Sequence, residues 1–256
     1  MNIEIQLMKF LLILFRCSGF FILTPIFGRR EFPPQGKIGL AALVSFVVYP
    51  LISDLNTYNN VWIIGTHVLK EFTVGISMGY ATFLVFTSLY LAGGIIDMEI
   101  GFGMVNVLDP QSNTQVPLMG NFFYILTILM FLTIDGHHML ISTIIKSYEI
   151  LPLGQAVFHS DFLLAVIACF KEMFLLGVKI ALPIVSIVFL TNLALGIIAR
   201  TVPQMNVFIV GLPIKITVGI VGMIMVFPMY FVVMDIIYNG SYENILSFLN
   251  GMWVRP

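Results

Sequence analysis

Gly101-Phe-Gly-Met-Val-Asn-Val-Leu-Asp-Pro-Gln-Ser-Asn-Thr-Gln-Val-Pro-Leu-Met-Gly120 is polar, rich in Gly and Pro, and lodged between two long hydrophobic runs. Its one charge is Asp109. Non-helical backbone can sit at membrane depth only where protein or a water-filled cavity satisfies its NH and CO groups, so this tract is either an outside loop or part of a pore. Choosing between the two decides what kind of protein this is.

The flanks set the class. Hydrophobic residues make up 59% of the 256 and charged residues only 10%, against roughly a quarter charged in ordinary soluble domains. Mean hydropathy is +1.02. Such a chain cannot clothe itself in a soluble surface, and it reads as an all-α, multi-pass membrane protein. The net charge of -1 and a longest basic run of Arg29-Arg30 leave no footprint for nucleic acid and no polybasic patch for anionic lipid. Cys17 and Cys169 are isolated within apolar segments and read as small buried hydrophobes. At the N-terminus Arg16 interrupts the apolar run, and no A-x-A-like cleavage site follows, so residues 7–27 read as a retained first membrane helix.

Further apolar segments cover about residues 38–53, 61–96, 117–134, 139–151, 162–199 and 207–238. Residues 38–53 and 139–151 are short for a span and suit half-length helices or hairpin arms. Prolines at 25, 33, 34, 50, 117, 152, 183, 203, 213 and 228 predict kinked or broken helices. Lys and Arg in short loops should mark the cytoplasmic side, yet the pattern is inconsistent: the first loop holds Arg29, Arg30 and Lys37, while residues 97–118 hold none. Five of the seven lysines (Lys70, Lys146, Lys171, Lys179 and Lys215) fall within or beside apolar segments. Each would cost about 2.5–3.5 kcal/mol at a bilayer centre, so many of these residues should face protein or water. Gly75-Ile-Ser-Met-Gly79 is a GxxxG, whose plain reading is close helix packing.

No catalytic constellation emerges. His137-His138 follow Asp135-Gly136, but adjacent helical residues diverge by ~100° and there is no HExxH or third clustered His or Cys, so a structural role at a helix start is favoured over a metal. Asp97 and Glu99 would diverge by about 200° on a helix and read as marking the water boundary of the longest apolar run. Neither GxGxxG nor GxxxxGK[ST] occurs, so the chain does not hydrolyse ATP; no cofactor or metal is expected.

Four patches, in order, carry a resemblance. They are Arg16 with Thr24-Pro25-Ile26-Phe27-Gly28, Pro33-Pro34 and Lys37; residues 101–123 with Asp109-Pro110, Gln115 and Pro117; residues 131–141 with Asp135-Gly136-His137-His138, then Ser147-Tyr148 and Pro152-Leu-Gly154; and residues 192–216 with Arg200, Pro203, Gln204, Asn206, Gly211, Pro213 and Lys215. Together they span nearly the whole chain, which is similar to the FliR family, the R component of the flagellar type III protein-export gate. Leu212 departs from the Phe common at that position. The resemblance implies a non-enzymatic subunit present in one copy, assembled with the P and Q components into a helical gate for unfolded flagellar proteins in the bacterial inner membrane at the basal body. It also implies contact with the B export switch and work beside the A component.

The implied fold is a set of broken helical hairpins, with residues 1–190 as a P-like part and 191–256 as a Q-like hairpin. The tract at 101–120 would be a plug inside the channel. Phe102, Met104, Val105, Val107 and Leu108 would form its apolar seal, Asn106, Gln111, Ser112, Asn113 and Gln115 would satisfy exposed backbone, and Asp109-Pro110 would shape a turn ahead of Pro117. Arg200, Pro203, Gln204, Asn206 and Lys215 would mark a hairpin tip for subunit contacts or the cytoplasmic face. Arg16, His137 and His138 would be buried structural polar groups, the partner of Arg16 being undetermined by sequence. An injectisome export-gate subunit is the alternative within the family. An ion or small-molecule transporter is the alternative of another class; it predicts a self-sufficient monomer or homodimer.

Overall fold

The computed structural model describes residues 3–29, 32–52, 61–103 and 117–253. Among them every regular element is helical: α1 (Ile3–Leu23), α2 (Pro34–Val48), α3 (Val61–Ile100), α4 (Leu118–Thr133), α5 (Gly136–Ile150), α6 (Ser160–Thr201), α7 (Val207–Val226) and α8 (Tyr230–Gly251). Short 3-10 turns follow α2 at Tyr49–Leu51 and α7 at Phe227–Met229. Four stretches are long and apolar enough to cross a membrane, Ile5–Leu23, Trp62–Ile100, Ser160–Thr201 and Ile209–Gly251, and the broken pair α4–α5 makes a fifth. The chain is an all-α multi-pass membrane protein.

The prolines act largely as punctuation. Pro33 holds extended backbone at the N-cap of α2 with Pro34 in its first turn, where the missing N–H is no loss. Pro50 and Pro228 sit in the 3-10 turns. Among the described residues only Pro183 and Pro213 lie in helix interiors. The 40 residues of α3 and 42 of α6 extend about 60 Å each, twice the ~30 Å hydrocarbon layer. Such helices are not simple spans.

Two compact units divide the chain: Met1–Val85, Phe131–Lys171 and Tyr238–Pro256 form the first, Phe86–Met130 and Glu172–Ile237 the second. In the first, α1 packs on α2 and its backbone touches that of α3. A Cβ added at Gly75 would collide with the Arg16 carbonyl oxygen, and one at Gly79 would lie 2.8 Å from that of Phe20. The GxxxG is therefore internal packing. In the second unit α3 meets α4 as closely, since a Cβ on Gly93 would collide with the backbone nitrogen of Gly120.

Candidate functional site

The tract at 101–120 is described at its two ends only. Gly101, at φ +100°, ends α3 in the left-handed region that glycine tolerates, and its N–H donates to the Asp97 carbonyl at 3.0 Å. At the far end Pro117 starts α4, its carbonyl accepting from the N–H of Asn121 at 2.9 Å. The N–H of Met119 donates to the Asp97 carboxylate, at 3.2 Å and 3.3 Å to its two oxygens. One residue, 5% exposed, thus receives both stems: its backbone holds the exit from α3 and its side chain caps the entry to α4, where a carboxylate also meets the positive end of the helix dipole. Phe102 and Pro117 are half-buried at the stems. Met104, Val105, Asn106, Val107, Leu108, Asp109, Pro110, Gln111, Ser112, Asn113 and Gln115 lie outside the described residues.

Asp97 corrects the boundary reading. It is a buried anchor, and nothing in the local sequence marks it as one because its partner is 22 residues on. Glu99 points elsewhere, as the helical offset requires, and takes a long 3.5 Å hydrogen bond from the Asn192 amide of α6.

In the first unit Arg16 and Glu71 are both 0% exposed and paired at 2.5 Å. Arg16 Nη1 donates to the Leu151 carbonyl at 3.0 Å and to the carbonyl and hydroxyl oxygens of Ser147 at 3.2 Å, and its guanidinium lies over the Tyr148 ring at 4.2 Å. Glu71 Oε1 accepts from the N–H of Gly154 at 2.8 Å, a residue at φ +77°. One ion pair thereby joins α1, α3, α5 and the turn after α5. Buried charge survives only when paired and hydrogen-bonded, and here Nε and Nη1 are engaged while Nη2 has no hydrogen-bond partner among the described residues. Arg16 is buried, and Glu71 is the residue sequence reading missed. Its signal was available: it is a carboxylate inside an apolar segment, beside Lys70.

The histidines depart from expectation. Asp135, at φ +58°, breaks the path between α4 and α5, and His138 is a surface residue, its side chain 71% exposed beside a 73% exposed Asp135 at 3.2 Å. His137 is half-buried. The two rings do not splay apart but stand 4.1 Å centroid to centroid. One ligand atom from each of Asp135, His137 and His138 comes within 4.8 Å of the others, so the trio could touch one cation, though the positive helix end opposes it.

Residues 202–206 form the turn between α6 and α7. Arg200, Pro203, Gln204 and Asn206 are exposed there, and Lys215 is half-buried further along α7. Arg200 sits in the last turn of α6, complementing its dipole, while the Asn206 side-chain Oδ1 caps α7, accepting from the N–H of Ile209 at 3.4 Å. The turn is the tip of a helical hairpin: Leu195 of α6 packs at Gly211, and Ile187 at Gly222.

A family model described as bacterial export proteins, family 1, matches residues 7–240. The chain is similar to the flagellar biosynthetic protein FliR of Bacillus subtilis (strain 168), with 34% identity over 247 residues and 94% of each chain covered. It is also similar to those of Aquifex aeolicus (strain VF5), 32% over 235 residues, covering 90% of this chain and 89% of that one, and Escherichia coli (strain K12), 30% over 210 residues, covering 80% and 79%.

Proposed function

The chain belongs to the bacterial export proteins, family 1, and from that membership we propose that it is a non-enzymatic core subunit of the flagellar type III secretion export gate. In this reading one copy assembles with the P and Q components in the bacterial inner membrane at the basal body, contacts the B export switch, and works beside the A component. Its cargo is unfolded flagellar protein. The names of the relatives favour the flagellar branch over the injectisome branch. Residues 1–190 act as a P-like part and 191–256 as a Q-like hairpin, with Arg200, Pro203, Gln204, Asn206 and Lys215 meeting partner subunits or the cytoplasmic face at its tip.

The observation that carries the mechanism is the double anchorage at Asp97. A closure must be held at its base while its middle yields to a passing chain. The stems at Gly101 and Met119 both bond to Asp97, which restricts any displacement to the residues between them. Within that loop Phe102, Met104, Val105, Val107 and Leu108 supply soft apolar contact, Met in particular adapting to irregular gaps, while Asn106, Gln111 and Gln115 hydrogen-bond exposed backbone and Asp109-Pro110 sets a turn before Pro117.

Deleting residues 106–115 tests the closure. Membranes holding the assembled gate should then leak ions where the intact gate does not, with the complex still forming. A gate that stays tight after the deletion removes the plug role.

A further inference from the structure

We propose that Lys215 of α7 is a positioning residue for the end of α3: its ammonium closes on the Glu99 carboxylate and the Asn192 side-chain oxygen and offsets the negative end of that helix. The inference rests on the fold of the second unit and not on the gate function. It adds a role inside the chain to the contacts proposed for the hairpin tip.

α3 ends with the wrong charge for a helix C-terminus. Its last turn holds Asp97 and Glu99 and no basic residue, although that end carries roughly half a negative charge and favours cations. Asp97 is satisfied by the N–H of Met119. Glu99 receives, among the described residues, only the long 3.5 Å hydrogen bond from the Asn192 amide of α6. The Asn192 Oδ1 is itself a buried acceptor with no hydrogen-bond partner among the described residues, a state that costs free energy until a donor arrives. A carboxylate, an orphaned amide oxygen and a helix C-terminus are all acceptors. What the three lack is a cationic donor.

The packing of α7 aims Lys215 at them. Gly211 and Gly222 receive Leu195 and Ile187 of α6, so the antiparallel register between those two contacts sets Lys215 opposite the neighbourhood of Asn192. Gly219 and Leu212 mark the side that faces α3: a Cβ on Gly219 would stand 2.5 Å from Ile100 Cδ1, and Leu212 packs at Gly101. At about 100° per residue, Gly222 points about 20° round the helix from Gly211, whereas Gly219 and Leu212 point about 80° and 100° round from it. Lys215, at about 40°, projects into the seam between α6 and α3. It is half-buried there, and it is the single charged residue of α7. A charge in so apolar a helix is expected to face protein or water. Lys215 makes no hydrogen bond or ion pair among the described residues, so the contact is open in this structure. Rotation about the side-chain torsions of lysine closes it without moving a helix.

Lys215→Met and Glu99→Gln, made singly and together, test the pairing in the protein purified with its co-purifying partners. Each carries Gly103→Cys as a reporter, a position where a Cβ meets nothing within 4 Å; the native Cys17 and Cys169 are buried. The rate of maleimide alkylation, read well below the melting temperature, follows opening of the α3 end. Each single variant should speed alkylation about fivefold, the upper range for one charge at a helix end. The double variant should react no faster than the faster single, because the two groups act as one pair. Lys215→Arg should keep the slow rate. Gly65→Cys, an exposed reporter near the other end of α3, should react equally in all of these backgrounds. Lys179→Met, an exposed lysine of α6 about 20 Å along the helix from Asn192, should change neither reporter. An unchanged rate in Lys215→Met overturns the proposal, as does a double variant in which the two accelerations multiply. An equal rise at both reporters overturns it too, since that is general loss of stability and not release of the α3 end.

Discussion

Arg16 and Glu71 cannot be understood singly. Each is a charge taken wholly out of water, and removing one partner strands the other, which in buried pairs costs about 3–5 kcal/mol, while replacing both by apolar groups is often neutral. Glu71→Leu is therefore expected to lower the thermal stability of the detergent-solubilised protein sharply. The double variant Arg16→Met, Glu71→Leu should recover much of that loss, and a double variant no better than the single would contradict the stranded-charge account. An arginine amid apolar residues announces its own burial. Its partner stands 55 residues away, and no local pattern links the two. The same holds for Asp97, whose capped amide belongs to another helix.

At the scale of elements, glycine sets how closely helices approach. Gly75 presents bare backbone to Arg16, so even a methyl group must push α1 from α3, and overpacking of this kind typically costs about 1–3 kcal/mol. Gly75→Ala should lower the melting temperature of the solubilised protein, whereas Gly65→Ala, on the same helix with open space around it, should leave it unchanged or raise it slightly through better helix propensity. Equal behaviour of the two variants would disprove the tight α1–α3 contact. Helix existence was legible from apolar runs, and most breaks from proline. The break at Asp135-Gly136, between the apolar segments 117–134 and 139–151, was legible too; what was not is that Pro183 and Pro213 are carried inside helices. Proline disfavours a helix interior by only a few kcal/mol, and long apolar packing on both sides can offset that.

For the whole molecule the surface is decisive. Large apolar side chains are exposed along α6, α7 and α8, among them Phe189, Leu190, Ile209, Ile224 and Phe231, and that surface must be covered by lipid or by other subunits. The export-gate reading adds a requirement that a transporter does not: tagged protein captured from membranes should co-purify with two other small hydrophobic proteins in one intact complex, seen by mass spectrometry, and should be unstable when expressed without them. A stable, self-sufficient monomer or homodimer would speak for the transporter.

Composition and apolar run length were enough to determine an all-α membrane protein, because burying backbone in lipid leaves a chain this apolar few other solutions. The ordered patches around Arg16, residues 101–123, residues 131–154 and residues 192–216 were enough to place its family. Only the tertiary structure decided that Arg16 pairs with Glu71, that the Gly75/Gly79 face receives α1, and that both stems of the polar tract at 101–120 end on Asp97. Those contacts join residues distant along the chain, and periodicity or composition records what each segment must bury but not which segment it meets.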